Sequence, residues 1–139
     1  MTIPAENIVW ASSARMSLKG FERCTELSLP QLQLLGRLGT GPLKSPDDDH
    51  YREAERVMRS LLTLLRLDYA VESLDGGWEI TDTGRAHLRH ASIIAEHQAS
   101  AALADANEER ERGRDATKLL ARAQRWLDIA NDLSGRGSR

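Results

Sequence analysis

Apolar residues first fall into a regular spacing at Leu32, Leu35 and Leu38, three residues apart, ending at Gly39. Just before them stands Ser28-Leu29-Pro30-Gln31. Ser28 can cap a helix, Pro30 is tolerated in a first turn, and Gln31 can reach back to the capping residue. This predicts a helix of about three turns. After the turn-forming Gly39-Thr40-Gly41-Pro42, a second start signal appears at Ser45-Pro46-Asp47-Asp48, with carboxylates where a helix dipole favours them. Tyr51, Ala54, Met58, Leu61, Leu62 and Leu65 then follow in steps of three and four, predicting a helix at about residues 46–67.

The period next changes from helical to β-type. Tyr69-Ala70-Val71-Glu72 and Trp78-Glu79-Ile80-Thr81 flank Ser73-Leu74-Asp75-Gly76-Gly77, where Asp-Gly-Gly provides the positive φ angles of a hairpin. Thr81 or Asp82 can cap a following helix. From Arg85 to about Leu133 there is no proline and one glycine, Gly113. Two helices are expected, at about residues 83–111 and 115–133 with Asp115 as a cap for the second. One long helix fits as well, because a single internal glycine costs only about 1 kcal/mol. Before Ser28 the pattern is mixed, with Ile8, Val9, Trp10, Met16, Leu18 and Phe21 interrupted by Ser12, Ser13 and Gly20, and it fits either a short helix or an arm.

Composition narrows the classes. The 139 residues are 40% hydrophobic and 29% charged, a globular balance, but only 4% aromatic, so Leu, Ile, Val and Ala must build the core. No apolar run approaches the roughly 20 residues of a membrane span, and the first residues lack the basic and apolar regions of a signal peptide. A cytoplasmic protein without a membrane partner is therefore expected. A lone cysteine, Cys24, makes neither an internal disulfide nor a zinc cluster, and reads as a small buried hydrophobe. Net charge is −2; residues 1–80 carry nine Lys and Arg against twelve Asp and Glu, and residues 81–139 ten against nine. No half is strongly basic.

The order helix, turn, capped helix, short hairpin, helix, together with the run Trp78-Glu79-Ile80-Thr81-Asp82-Thr83-Gly84-Arg85-Ala86-His87-Leu88, resembles the MarR/PadR-like winged helix-turn-helix regulators of bacteria over about residues 28–88. In that family an aromatic-containing strand ends in a Leu/Ile-Thr pair and runs through two variable residues and a Gly into a helix. The resemblance implies a mainly α fold: a winged helix-turn-helix with a short two-stranded wing and a long C-terminal helical extension. The implied divisions are an arm or short helix at 1–27, a winged-helix domain at 28–88 and an extension for dimerisation at 89–139. It also implies that the helix before the wing enters the major groove of double-stranded DNA. On that helix the matching cations are Arg52, Arg56 and Arg59, which share one side, and Arg66 nearer its end. The planar fork of arginine bonds guanine bidentately or clamps a phosphate. The chain departs from the family pattern in two places. Only twelve residues, Gly39 to His50, separate the two core helices, and the wing tip Leu74-Asp75-Gly76-Gly77 carries no Lys or Arg.

Beyond the wing, small and apolar residues recur along both predicted helices. They mark a face for another helix of the same chain or of a second copy. The residues expected at a homodimer interface are Leu88, Ala95, Ala99, Ala102, Leu103, Leu120, Trp126 and Leu127. His87, His90 and His97 fall within about 80° on the first of these helices, but spread over nearly three turns they do not converge on one ion, so no metal or other cofactor is expected. No phosphate-cradling loop, nucleophile elbow or metalloprotease motif is present, and no enzyme is expected. Two functions remain. One is a homodimeric, sequence-specific DNA-binding transcription regulator. The other is a winged-helix module that binds a protein instead of DNA, as an inhibitor or adaptor of phage or mobile-element type.

Overall fold

The computed structural model describes residues 15–44 and 51–135, and the fold is mainly helical with a small antiparallel sheet. The apolar N-terminal residues Ile8, Val9 and Trp10, and the expected helix start at Ser45-Pro46-Asp47-Asp48, lie outside the described residues. Helix α1 spans Leu18–Thr25, begun by Ser17, whose hydroxyl accepts from the Gly20 N–H, and ended by Glu26 in the left-handed region at φ 62°. A short helix is present in this stretch at Leu18–Thr25, while residues 1–14 lie outside the described residues. Helix α2, Leu29–Thr40, carries both halves of the expected capping box: the Ser28 hydroxyl accepts from the Gln31 N–H, and the Gln31 side chain accepts from the Ser28 N–H.

α2 is the central helix. Beyond the expected Leu32, Leu35 and Leu38 it buries Leu34 and Gly36, because other elements pack on it from several sides. Helix α3 is Tyr51–Arg66. Its buried side is centred on Leu61 and Leu64, with Val57 and Met58 packed against the core, whereas Leu62 and Leu65 are exposed. The sequence pattern placed Leu62 and Leu65 on the inner face. The helix is rotated from that expectation because α2 lies along its Val57 side.

Strands β1, Ala70–Glu72, and β2, Trp78–Ile80, pair antiparallel with Val71 opposite Glu79. The loop between them is Leu74-Asp75-Gly76, with only Gly76 left-handed at φ 84°. The Ser73 N–H donates to the Gly77 carbonyl and the Gly76 N–H to that of Ser73, a three-residue hairpin closed by a left-handed glycine. Asp75 accepts from the Ser73 hydroxyl and the Gly77 N–H, which together hold its carboxyl below the usual carboxylate range. A third rung adds to this sheet from outside: Leu43 and Trp78 exchange both backbone hydrogen bonds, at 2.9 and 2.7 Å.

Helix α4, Asp82–Glu111, is about 45 Å long at 1.5 Å per residue. Gly113, at φ 72°, turns the chain so that helix α5, Thr117–Ser134, returns along it. The hairpin is thus the form adopted, not the single rod. Asp115 accepts from the N–H and hydroxyl of Thr117, two residues on. The residue flanking α5 is Ala116, so Asp115 holds the turn from one position earlier than expected. One cluster of buried residues runs from Phe21 and the α2 leucines through Tyr69 and Trp78 to Ile94, Trp126 and Leu133. The boundary expected at residue 88 falls inside this core.

Candidate nucleic-acid interface

α3 is amphipathic in an uneven way. Its inner side is packed as described, and Arg52, Arg56, Arg59 and Arg66 are all exposed. At 100° per residue, all four lie within a sector about 80° wide. Arg52, Arg59 and Arg66, spaced by seven, form a nearly straight ridge, and Arg56 stands out of line toward α2. Arg59 pairs with Glu55 at 2.8 Å across one turn, an exposed contact of small energetic weight. None of the described carboxylates is paired with Arg52, Arg56 or Arg66. Arg66, which the sequence placed only near the end of the helix, joins the same outer sector.

The β-hairpin sits directly after this helix, tied to it by the Tyr69 N–H donating to the Leu64 carbonyl. Its seating on α4 explains the Thr-x-x-Gly spacing. Thr81 accepts the Gly84 N–H, donates its hydroxyl to the Asp68 carbonyl at 2.6 Å, and donates its own N–H to the Tyr69 carbonyl. A β-carbon on Gly84 would stand 2.1 Å from that carbonyl oxygen, so only glycine lets α4 begin there. The hairpin tip itself carries no cation: Leu74 is fully exposed, with Asp75 beside it, and Glu72, Glu79 and Lys44 line the groove under the loop.

No family model, curated protein or solved structure matches this chain. What the molecule does must be read from its own surfaces.

The eight residues expected at a dimer interface separate into two groups. Ala95, Ala99, Ala102 and Trp126 are buried in the α4–α5 pairing and its junction with α1, where Phe21 stands edge-on to Trp126 at 5.3 Å. Leu88 is buried against Gly39 of α2. Small residues on two helices allow close approach, and here the second helix belongs to the same chain. Leu120 is half-buried, and Leu103 (46% exposed) and Leu127 (41%) remain open. A second copy has access to these three, and to little of the other five.

The histidines also separate. His87 is 1% exposed and stacked on Tyr69 at 4.4 Å, with no hydrogen-bond partner on either ring nitrogen. Burial pushes its pKa down to about 4, opposed by the nearby Thr25 carbonyl. His90 is half-buried and His97 exposed. Among the described residues, no group of three His, Cys, Asp or Glu is placed to hold a metal. Cys24 is partly buried against the core, and burial raises its thiol pKa, the opposite of an activated nucleophile. None of the described helices is long and apolar enough to cross a membrane.

Proposed function

We propose that this protein is a homodimeric, sequence-specific DNA-binding transcription regulator of cytoplasmic, prokaryotic type with a winged helix-turn-helix architecture. In this reading α3 lies in the major groove. The observation that carries it is the outward sector of Arg52, Arg56, Arg59 and Arg66 on a helix whose other side is packed into the core. A helix of this kind presents guanidinium groups to guanine edges along its crest and to phosphates along its flanks. The Leu43 bridge to Trp78 supports the winged-helix reading, since it adds a backbone contact along the free edge of the two-stranded hairpin.

Two copies would place two such helices in successive major grooves about 34 Å apart, on a roughly palindromic site. Leu103, Leu120 and Leu127 on the hairpin are the surface through which the copies would meet. Selection of duplexes from a random-sequence pool, followed by footprinting beside the protein's own gene, tests the proposal. An inverted repeat with half-sites one turn apart is the expected outcome. Absence of any salt-sensitive duplex binding overturns it.

A second reading, a winged-helix module that binds a protein, is favoured by one observation: the hairpin tip offers an exposed leucine beside Asp75, and no cation of its own, where a phosphate-gripping wing would offer cations. A pull-down with the full chain separates the two. A stoichiometric protein partner retained after nuclease treatment, and lost with Leu74→Asp, supports the second reading.

A further inference from the structure

Arg37 belongs to α2, yet it shares a groove of about 250 Å³ with Arg56 of α3, along with Gln33, Val57 and Ser60. Arg37 and Arg56 are exposed, and neither has an ion-pair partner among the described residues. Among the described residues, no carboxylate lines this groove; Gln33, its amide wall, donates to the Asp132 carboxylate at 3.3 Å. Glu53, one turn before Arg56, makes no ion pair with either arginine. Two like charges on facing walls of one groove, with no carboxylate between them, repel each other until an anion bridges them.

The direction of Arg56 identifies the anion. It departs by roughly 40–80° from the line of Arg52, Arg59 and Arg66, toward α2. A helix with its side chains is about 10–12 Å across and the major groove about 12 Å wide, so residues on the crest face base edges and residues on the flank face the phosphate rim. Arg37, on the neighbouring helix, stands beside that flank.

We infer that Arg37 and Arg56 form a two-arginine clamp for one phosphodiester at the rim of the groove that α3 enters. α2 then supplies a sequence-independent DNA contact, and the hairpin tip, which has no cation, is relieved of that task. This inference rests on the DNA-binding reading above. It assigns Arg37 a role for which its place among the leucines of α2 gives no hint.

The test is salt-dependent binding of the full chain to two labelled duplexes, the selected site and a scrambled one, for the wild type, Arg37→Gln, Arg37→Lys and Arg112→Gln. Arg112 is at the far end of the hairpin, where it pairs with Glu108, and it calibrates the effect of removing a remote charge. Each neutralised phosphate contributes about 0.9 to the slope of log affinity against log salt. Arg37→Gln is expected to weaken both duplexes by the same factor, roughly tenfold, and to lower the slope by up to about 2 for a dimer that carries the clamp twice, whereas Arg37→Lys keeps the slope. Arg112→Gln should leave the slope unchanged.

If the wild type binds and Arg37→Gln retains its slope, the clamp is wrong and the DNA-binding reading stands. If Arg37→Gln weakens only the selected site, Arg37 reads a base and the clamp is again wrong. If the wild type binds no duplex, both readings fall. Matched thermal melts of the variants exclude unfolding as the cause, and Arg37 is exposed.

Discussion

Gly84 shows how much one absent methyl group decides. Its α-carbon lies so close to the Tyr69 carbonyl that Gly84→Ala must push α4 away from the hairpin or break the Thr81 cap. A loss of about 3 kcal/mol is expected from urea unfolding, with the hairpin detached first. Gly76→Ala should cost only about 1 kcal/mol, because open space surrounds Gly76 and only its left-handed φ disfavours a side chain. His87 gives a second residue-scale prediction. The unfolded chain takes up a proton on this imidazole near pH 6.5, and the folded chain only near pH 4. Its neutral form is therefore fully compatible with the fold above pH 6.5, and stability falls as pH drops from 6.5 toward 4, by at most about 3 kcal/mol. His87→Phe keeps a ring against Tyr69 and should flatten that part of the profile of melting temperature against pH. The residues that announced themselves in the sequence were those with local partners. Ser28 and Gln31 bond each other, Thr81 caps Gly84 three residues on, and Gly76 serves its own turn. Gly36 gave no such sign. Its reason for being glycine is the Asp132 carbonyl, 2.7 Å from where its β-carbon would be, at the other end of the chain.

At the scale of elements, the same distinction separates what periodicity reveals from what it hides. The spacing of apolar residues located α2, α3, the hairpin and the two long helices. It did not locate the Leu43 rung, a single residue whose pairing with Trp78 has no period to detect. It also could not say whose helix would cover Ala95, Ala99 and Ala102, since a small residue reports that something comes close and not which chain it belongs to. The answer, α5, makes these positions sensitive to bulk. Ala99→Leu is expected to cost about 1–3 kcal/mol through overpacking, seen as a lower melting temperature. On α3 the four arginines were legible, but the rotation that exposes Leu62 and Leu65 was not, because it depends on where α2 lies. For the proposed function, Arg59→Ala should relax preference at one base pair by about 1–3 kcal/mol in a competition assay, with less effect on scrambled duplex.

For the whole molecule, residues 15–17 and the hairpin behave as parts of one body. The Arg15 guanidinium grips Asp105 through two hydrogen bonds, at 2.9 and 3.1 Å, and holds that carboxyl below its usual range. The Met16 N–H donates to Gln98 and the Met16 carbonyl accepts from Arg122. A chain ending at residue 112 should therefore lose cooperative unfolding altogether, since it would expose Leu35, Phe21 and Ile94 at once; circular dichroism melts check this. For the proposed homodimer, Leu103→Asp with Leu127→Asp should convert dimer to monomer in sedimentation, with helicity checked by circular dichroism, since both side chains are among the exposed large hydrophobics.

The meeting of α2 with the last turn of α5 also bears on how fast the molecule forms. Gln33 and Asp132 are 99 residues apart, Met16 and Arg122 106, and Met16 and Gln98 82. Helical proteins fold within microseconds to milliseconds when their contacts are local, and more slowly as the mean separation of contacting residues rises. This chain pairs a helical composition with closures that span most of its length. Its refolding after denaturant dilution should be slower than that of helical bundles of equal size, and its rate should depend on Gly36, where the two ends of the core come together.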